Sequence, residues 1–416
     1  MINGEGNAGM DVLSTDLKVT LPDGRVTTHV NLDYAATAPC LAEAAAAVNE
    51  LLPWYASVHR GAGAASRRCT YAYERARESV ADFLAARPDD HVIFTRNTTD
   101  AMNLLARALP AGTTVVSWET EHHATLLPWP RAVRLPLPGD VPGMLEDLAT
   151  ALGSLAGTGP VLVAVAGASN VTGELWPLDD VVAVAHRYGA RVALDAAQLA
   201  PHRPVSMTRL GVDYVALSGH KLYAPFGVGV LAGRSDWLDA AQPYLIGGGA
   251  TAHVGRGAIE VDWHTGPDRH EAGTPNLLGA VALAAACDTI AAADRDALFA
   301  VEQAQMRRIR DGIGRLGYID ELRVFDADHP RVGIVSFIVR GVAGAGVSAY
   351  LANEYGIGVR DGLFCAHPLT RGLIEASAAR CGGPVADSAV RASIGLGTTD
   401  EHVDRLVEAL TALPRN

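Results

Sequence analysis

Short apolar runs recur through the middle of the chain, at 92–95, 114–118, 161–165, 191–194, 214–217 and 227–231. Runs of four or five residues with little polar alternation predict strands buried on both faces. Longer stretches between them, one opening near Thr98, carry helical patterning. The alternation of strand and helix across 92 to 231 predicts a mainly parallel sheet with crossover helices. Upstream, 17–30 alternates apolar and polar residues around Asp23-Gly24 and predicts a hairpin. Helices are predicted over 41–52 and 70–86, and residues 1 to about 15 read as polar and loose. The segments 121–125 and 256–269 read as loops. An Ala-rich run at 277–293 is short and contains Asp288, so it reads as a packed helix and not a membrane span.

From about Leu298 the character changes. Helices are predicted over 301–316, 347–355 and 401–413, and short strands over 322–326, 334–339, 357–360 and 390–395. The expected architecture is therefore α/β. A large domain with a mainly parallel central sheet spans 31–297, and a smaller α+β domain combines 1–30 with 298–416.

Composition narrows the function classes. Of 416 residues, 49% are hydrophobic and 19% charged, enough to bury a sizeable core. A net charge of −12 argues against non-specific binding to nucleic acid or anionic membranes. Five cysteines stand far apart with no CxxC pair, which argues against a metal centre or redox dithiol and suits a reducing cytoplasm. The N-terminus has no basic start and no apolar core, so no secretory signal is expected.

The candidate chemistry centres on VALSGHKLYA at 215–224. Lys221 stands just past a strand end beside Ser218 and His220, and a lysine amine in an apolar pocket can condense with an aldehyde. His59, Thr99, His123, Asn170, Asp195 and Lys221 all follow short apolar runs or sit at element edges. Strand ends of one parallel sheet converge on one rim, so these residues predict one site. Each also has an ordinary reading: helix caps for Thr98, Thr99 and Asp195, loop residues for His59, Arg60 and His123. There is no GxGxxG and no Walker lysine, so a nucleotide is not implied. If the ligand is pyridoxal phosphate, Asp195 keeps the pyridine nitrogen protonated. The helix start at Thr98 and Thr99, with Ser218 and His220, holds the phosphate. His123 offers a stacking face and Gln198 a donor to the ring oxygen. Arg391 and Arg360 are available for a substrate carboxylate.

At this point the chain resembles a known family. NLDYAATAP (31–39), VHRG (58–61), FTRNTTDAMNL (94–104), EHHATLLPW (121–129), SNVTGELWPL (169–178), DAAQ (195–198), SGHKLYAPFGVGVL (218–231), GGGAT (247–251), EAGTPN (271–276) and VRASIGLGTT (390–399) carry the resemblance. It is similar to the class V aminotransferase-like, fold-type I pyridoxal phosphate enzymes, and most of all to the group II cysteine desulfurases and related selenocysteine lyases. The resemblance implies that Lys221 is the Schiff-base lysine, with Asp195, Gln198, His123, Thr98, Thr99, Ser218 and His220 around the cofactor. It implies a homodimer in which Thr274 serves the neighbouring subunit's phosphate. Asn170 and Arg391 would bind the substrate carboxylate, and His59 and Arg60 would line the entrance. Cys365 falls where the family keeps the cysteine that takes up sulfur and passes it to an acceptor protein.

The chain departs from the family at that cysteine. The family pattern RxGHHCAxP is here Arg360-Asp361-Gly362-Leu363-Phe364-Cys365-Ala366-His367-Pro368, with Leu363 and Phe364 in place of two histidines. An apolar loop is expected to raise the thiol pKa, and Cys365 has a second reading as a small buried hydrophobe. Three functions compete. The first is a desulfurase that converts L-cysteine to L-alanine and a Cys365 persulfide. The second is a C–S lyase or related pyridoxal phosphate enzyme acting on an S-substituted cysteine conjugate, with Leu363 and Phe364 shaping its pocket. The third is a non-enzymatic scaffold, which the presence of Lys221, Asp195 and His123 argues against.

Overall fold

The structure is a computed structural model that describes residues 10–381 and 385–414. The apolar runs form one seven-stranded sheet. From edge to edge its order is Asp90–Thr95, Gly229–Arg234, Tyr214–Ser218, Arg191–Asp195, Val161–Ala166, Thr114–Trp118 and Ala132–Leu135. Gly229–Arg234 is antiparallel to both neighbours, and the other pairs are parallel. Thr114–Trp118 and Tyr214–Ser218 are buried at every position, which explains their lack of alternation. Val116, Val163, Val192 and Val215 enter the core on one face, and Val115, Leu162, Ala193 and Tyr214 the core on the other. Each such aliphatic side chain contributes about 1.5–3 kcal/mol of burial.

A second, antiparallel sheet has the order Ile319–Leu322, Ile334–Val339, Ala389–Ser393 and Arg360–Gly362. The helices Arg295–Gly314, Gly344–Tyr355 and Asp400–Thr411 cover one face, through Ile309, Leu351 and Leu406 against Val335, Phe337 and Val390. The helix His367–Cys381 covers the other through Leu369, Leu373 and Ile374.

Several expectations need correction. The strand expected at 322–326 lies at Ile319–Leu322, because Ile319 and Leu322 face the core while Asp320 and Glu321 between them pair with Arg340 and Arg331. The strand expected at 357–360 is two. Ile357–Gly358 pairs in parallel with Val30–Asn31, and after Val359 the chain joins the second sheet. Within the expected loop 256–269, Val261–Trp263 pairs with Thr251–Val254; both strands are largely exposed and so lack an apolar signal. The expected loop at 121–125 contains the start of a one-turn helix, His123–Leu126. The helices expected at 70–86 and 301–316 begin earlier, as Ala64–Phe83 and Arg295–Gly314. Of the N-terminal segment expected to be loose, the first nine residues lie outside the described ones, but Met10 and Val12 are buried and Val12 bridges to Leu41. The Ala-rich helix Leu277–Ala292 is mostly buried against Ala64–Phe83 and Ala42–Leu51. Among the described residues no single helix is long and apolar enough to cross a membrane.

Candidate active site

The strand Tyr214–Ser218 ends in a tight turn at Gly219. A side chain there would sit 2.8 Å from Val228 and about 3 Å from two backbone carbonyls, so glycine is required for the close approach. The turn delivers Lys221 to the wall of a cavity of about 280 Å³. The lysine is half-buried, and its ammonium has no hydrogen-bond partner among the described residues. Burial pushes its pKa down to about 8, against the attraction of Asp195. About a tenth of the amine is then neutral at pH 7.

Asp195, at the end of its strand, lines the same cavity and is 5% exposed. Its Oδ1 accepts the Ala197 N–H at 3.0 Å and its Oδ2 accepts the Thr125 hydroxyl at 2.8 Å. Gln198 donates one amide hydrogen to the Ala35 carbonyl at 2.8 Å and keeps a second. Behind them Glu121 is fully buried, accepts the Ala166 N–H at 2.9 Å, and is raised well above the usual carboxylate range by burial and by Asp195.

An anion cradle closes one end. Asn97 caps the helix Thr98–Ala108 by accepting the Asp100 N–H. The Thr98 N–H and hydroxyl meet the Ser218 oxygen at 2.8 and 2.7 Å. Thr99 and His220 complete the lining, and burial pushes His220 down to about 4, so it is neutral. Gly229 lets the antiparallel strand run against the Asn97 backbone, where a side chain would come within 2.5 Å.

The ring that faces the cavity is His122, not His123. The Ala124 N–H donates to His122 Nδ1 at 3.1 Å, which fixes the other nitrogen as the one carrying the proton in the neutral ring. Burial and the Lys221 charge push His122 down to about 4. His123 begins the next turn and packs edge-to-face on His367, with ring centroids 4.6 Å apart. His123, expected to offer the stacking face, does not line the cavity; the imidazole placed there is that of His122.

The opposite wall comes from the second sheet. Arg391 is 3% exposed; its Nη1 donates to the Asn170 carbonyl at 2.9 Å and its Nη2 to Asp33 at 3.1 Å. Its buried Nε has no partner among the described residues. Asp33 was not foreseen as this partner, although a lone acid inside the small-residue segment 31–39 was a signal. Arg360 pairs opposite Arg391 in the ladder and also lines the cavity. Asn170 lines it too, but its amide donates to the Phe364 carbonyl at 2.6 Å.

Cys365 is exposed and lines the cavity, so its reading as a buried hydrophobe is corrected, and with it the apolar burial expected of the thiol. Phe364 is the buried member, 5.1 Å from the Arg391 guanidinium. Both Phe364 and Cys365 adopt left-handed backbone, φ 52° and 53°. For residues with a Cβ this stores strain. The Asn170 amide and the His123 N–H, which donates to the Cys365 carbonyl at 2.8 Å, hold the two strained carbonyls in place.

Three predicted residues lie elsewhere. His59 bonds Glu74 at 2.8 Å, Arg60 lies against Gly248 and Gly249, and Thr274 is exposed; none lines the cavity of this chain.

The residues present fit pyridoxal phosphate. A cradle of hydroxyls and helix N–H groups, a buried carboxylate across from it, an unpartnered, half-buried amine and a neutral imidazole share one cavity. The aminotransferase class-V family model matches residues 30–406. The chain belongs to the class-V aminotransferase family. The chain is 38% identical to a probable cysteine desulfurase of Aeropyrum pernix, over 86% of this chain and 87% of the relative. It is 36% identical to a cysteine desulfurase of Dickeya dadantii, over 87% and 86%. A crystal structure of a cysteine desulfurase from Escherichia coli superposes with a TM-score of 0.77 at 32% identity, covering 92% of this chain and 94% of that one. The apo cysteine desulfurase of Thermococcus onnurineus gives 0.80 at 31% identity, with the same coverage. The fold of the chain is thus fold-type I, and its cofactor is pyridoxal phosphate.

Proposed function

We propose that this protein is a cysteine desulfurase that moves the sulfur of L-cysteine onto Cys365 and releases L-alanine. The observation that carries the reading is that the exposed Cys365 and the half-buried Lys221 line one cavity, with Arg391 in its wall. The relatives named cysteine desulfurase support it. Thr98, Thr99, Ser218 and His220 would hold the cofactor's phosphate, Asp195 its ring nitrogen, Gln198 its ring oxygen and His122 its face. When bound, pyridoxal phosphate supplies an aldehyde for the substrate amine and a ring that stabilises charge at the α-carbon. Arg391 binds the substrate carboxylate, oriented by Asp33. Lys221 Nζ, partly neutral near pH 7, takes and returns protons at the substrate carbon. Cys365 Sγ attacks the substrate sulfur and keeps it as a persulfide, so sulfur and electrons balance between L-cysteine and L-alanine.

The remaining parts of the reading concern surroundings. Thr274 is exposed and off this chain's cavity, and the Gly273 N–H before it donates to the Gly248 carbonyl at 2.7 Å, two residues past the exposed pair Leu245 and Ile246, which supports a homodimer in which Thr274 completes the partner's cradle. All five cysteines are free thiols, which supports a cytoplasmic setting.

The test is incubation of cofactor-loaded protein with L-cysteine under a reductant, with alanine, pyruvate and sulfide quantified together. Alanine and sulfide in equal amounts, both lost in Cys365→Ala while the cofactor stays bound, are expected. Full turnover by Cys365→Ala would refute the reading. One observation favours a second reading, a C–S lyase of S-substituted cysteines: Phe364 gives the cavity an apolar wall beside the carboxylate-binding arginine. Pyruvate from S-alkyl cysteines, with Cys365 dispensable, is its signature.

A further inference from the structure

Two imidazoles stand beside Cys365 with no part in the roles above. His123 and His367 meet edge to face, at 66° between ring planes. Both are tied to the thiol's own backbone. The His123 N–H donates to the Cys365 carbonyl at 2.8 Å. His367 follows Cys365 by two residues, and its backbone N–H donates to His123 Nε2 at 3.4 Å. Neither ring lines the cavity; His367 is exposed and His123 half-buried. Cys365 therefore stands at a boundary. On the cavity side it feels Lys221 and Arg391, with Arg360, His122 and the Asp33 partner of Arg391 behind them. The two imidazoles lie off the cavity, one joined through its backbone to the Cys365 carbonyl and the other two residues along the chain. Burial and the neighbouring His367 hold the His123 pKa down, so that ring is neutral and its Nε2 is taken up by the His367 backbone N–H.

The cavity-side groups suffice to bring sulfur onto Cys365. Discharge is a separate reaction, because the acceptor arrives from solvent. A thiol acceptor must lose its proton before its sulfur attacks the terminal sulfur of the persulfide. The new S–S bond forms, the bond to Cys365 breaks, and Cys365 leaves as a thiolate that needs a proton. One acceptor thiol and one enzyme persulfide give one acceptor persulfide and one enzyme thiol, with no other oxidant or reductant. A base that takes the first proton and returns it to Cys365 serves both ends of that exchange.

We propose that His367, held against the His123 ring, is this proton relay, and that the acceptor it serves is a thiol entering from the solvent side of Cys365. The inference rests on the desulfurase reading. The experiment uses the cofactor-loaded enzyme in two stages. A single turnover with stoichiometric L-cysteine gives the alanine burst. After desalting, β-mercaptoethanol is added and persulfide loss is followed from pH 6 to 9, for wild type, His367→Ala and His123→Gln. Discharge relative to burst is expected to fall about tenfold at pH 7 in His367→Ala. The deficit should close near pH 9, where the acceptor thiol ionises unaided, and added imidazole should restore the rate. The pH profile of Cys365 alkylation by iodoacetamide should shift in the same variants, which loss of packing alone would not produce. An unchanged discharge-to-burst ratio, a deficit that persists at pH 9, or an unmoved alkylation profile overturns the relay and leaves the desulfurase reading standing. No alanine burst in the wild type is the different result that refutes the desulfurase reading and takes the relay with it.

Discussion

Lys221 is held where a charge is poorly solvated, and this has a measurable consequence. In the folded protein its pKa falls from the ordinary 10.5 to about 8, with burial the main cause. The folded state thus binds the proton less tightly than the unfolded chain. Below pH 8 both states carry it and the folded protein bears the full penalty. Between about 8 and 10.5 only the unfolded chain is protonated, so the penalty fades as pH rises, and above 10.5 it is gone. At 1.36 kcal/mol per pH unit the penalty is about 3 kcal/mol, which for a chain of this length corresponds to about 4 °C in Tm. Lys221→Met keeps the side-chain bulk and removes the charge. With the cofactor stripped by hydroxylamine, the variant is expected to melt about 4 °C above wild type at pH 7, with the gap shrinking toward zero at pH 10. Differential scanning calorimetry at pH 7, 8.5 and 10 measures it. A variant less stable than wild type at pH 7, or a gap that does not change with pH, would show that the ammonium is not held at a cost.

Three further substitutions test the site. His122→Ala is expected to weaken cofactor retention about tenfold, the upper end for one lost ring stack; an equal loss in His123→Ala, read by equilibrium dialysis, would reverse the assignment of the two rings. Asp33→Asn removes the only carboxylate paired with Arg391 among the described residues and should raise the KM for L-cysteine about tenfold with kcat nearly kept, as steady-state alanine assays would show. Asn170→Ala frees the carbonyl of left-handed Phe364, where two strained residues store about 1–2 kcal/mol each; alanine formation should fall about tenfold with cofactor affinity unchanged, and loss of the cofactor instead would mean that Asn170 acts on the cradle.

How much of this was legible depended on burial. Thr114–Trp118 and Ile334–Val339 match their predicted spans residue for residue, because strands covered on both faces leave no room for polar residues. Ile319–Leu322 reads Ile-Asp-Glu-Leu, and its two acids mask a strand whose partners are arginines far along the chain. In the site, residues fixed by strand ends were legible: Asp195, Ser218 and Lys221 line the cavity as their positions implied. The choice between His122 and His123 was not, because it turns on one backbone step. His122 is still extended, at ψ 146°, and its ring turns inward before the helix begins at His123. Thr125 carried no signal for its bond to Asp195, which exists only because the one-turn helix packs against the end of the strand Arg191–Asp195. The exposure of Cys365 was equally hidden, since Leu363 and Phe364 read as an apolar loop while only Phe364 is buried.

The cavity has walls from two sheets, and one loop sets their distance. The Ala35 N–H donates to Ser393 Oγ at 2.9 Å, in the same strand as Arg391, and its carbonyl accepts from Gln198, beside Asp195. Asp33 holds Arg391 itself. The Ala38 N–H and the Thr37 hydroxyl both reach the His220 carbonyl, one residue before Lys221. Residues 33–38 thus tie the carboxylate-binding arginine to the lysine by backbone and short side chains, without a flexible link. This explains the small residues: Ala35 and Ala36 line the cavity, and longer side chains there would fill it. Register between Arg391 and Lys221 is therefore a property of this loop, and the loop couples the grip on the substrate carboxylate to the position of the amine that handles its proton.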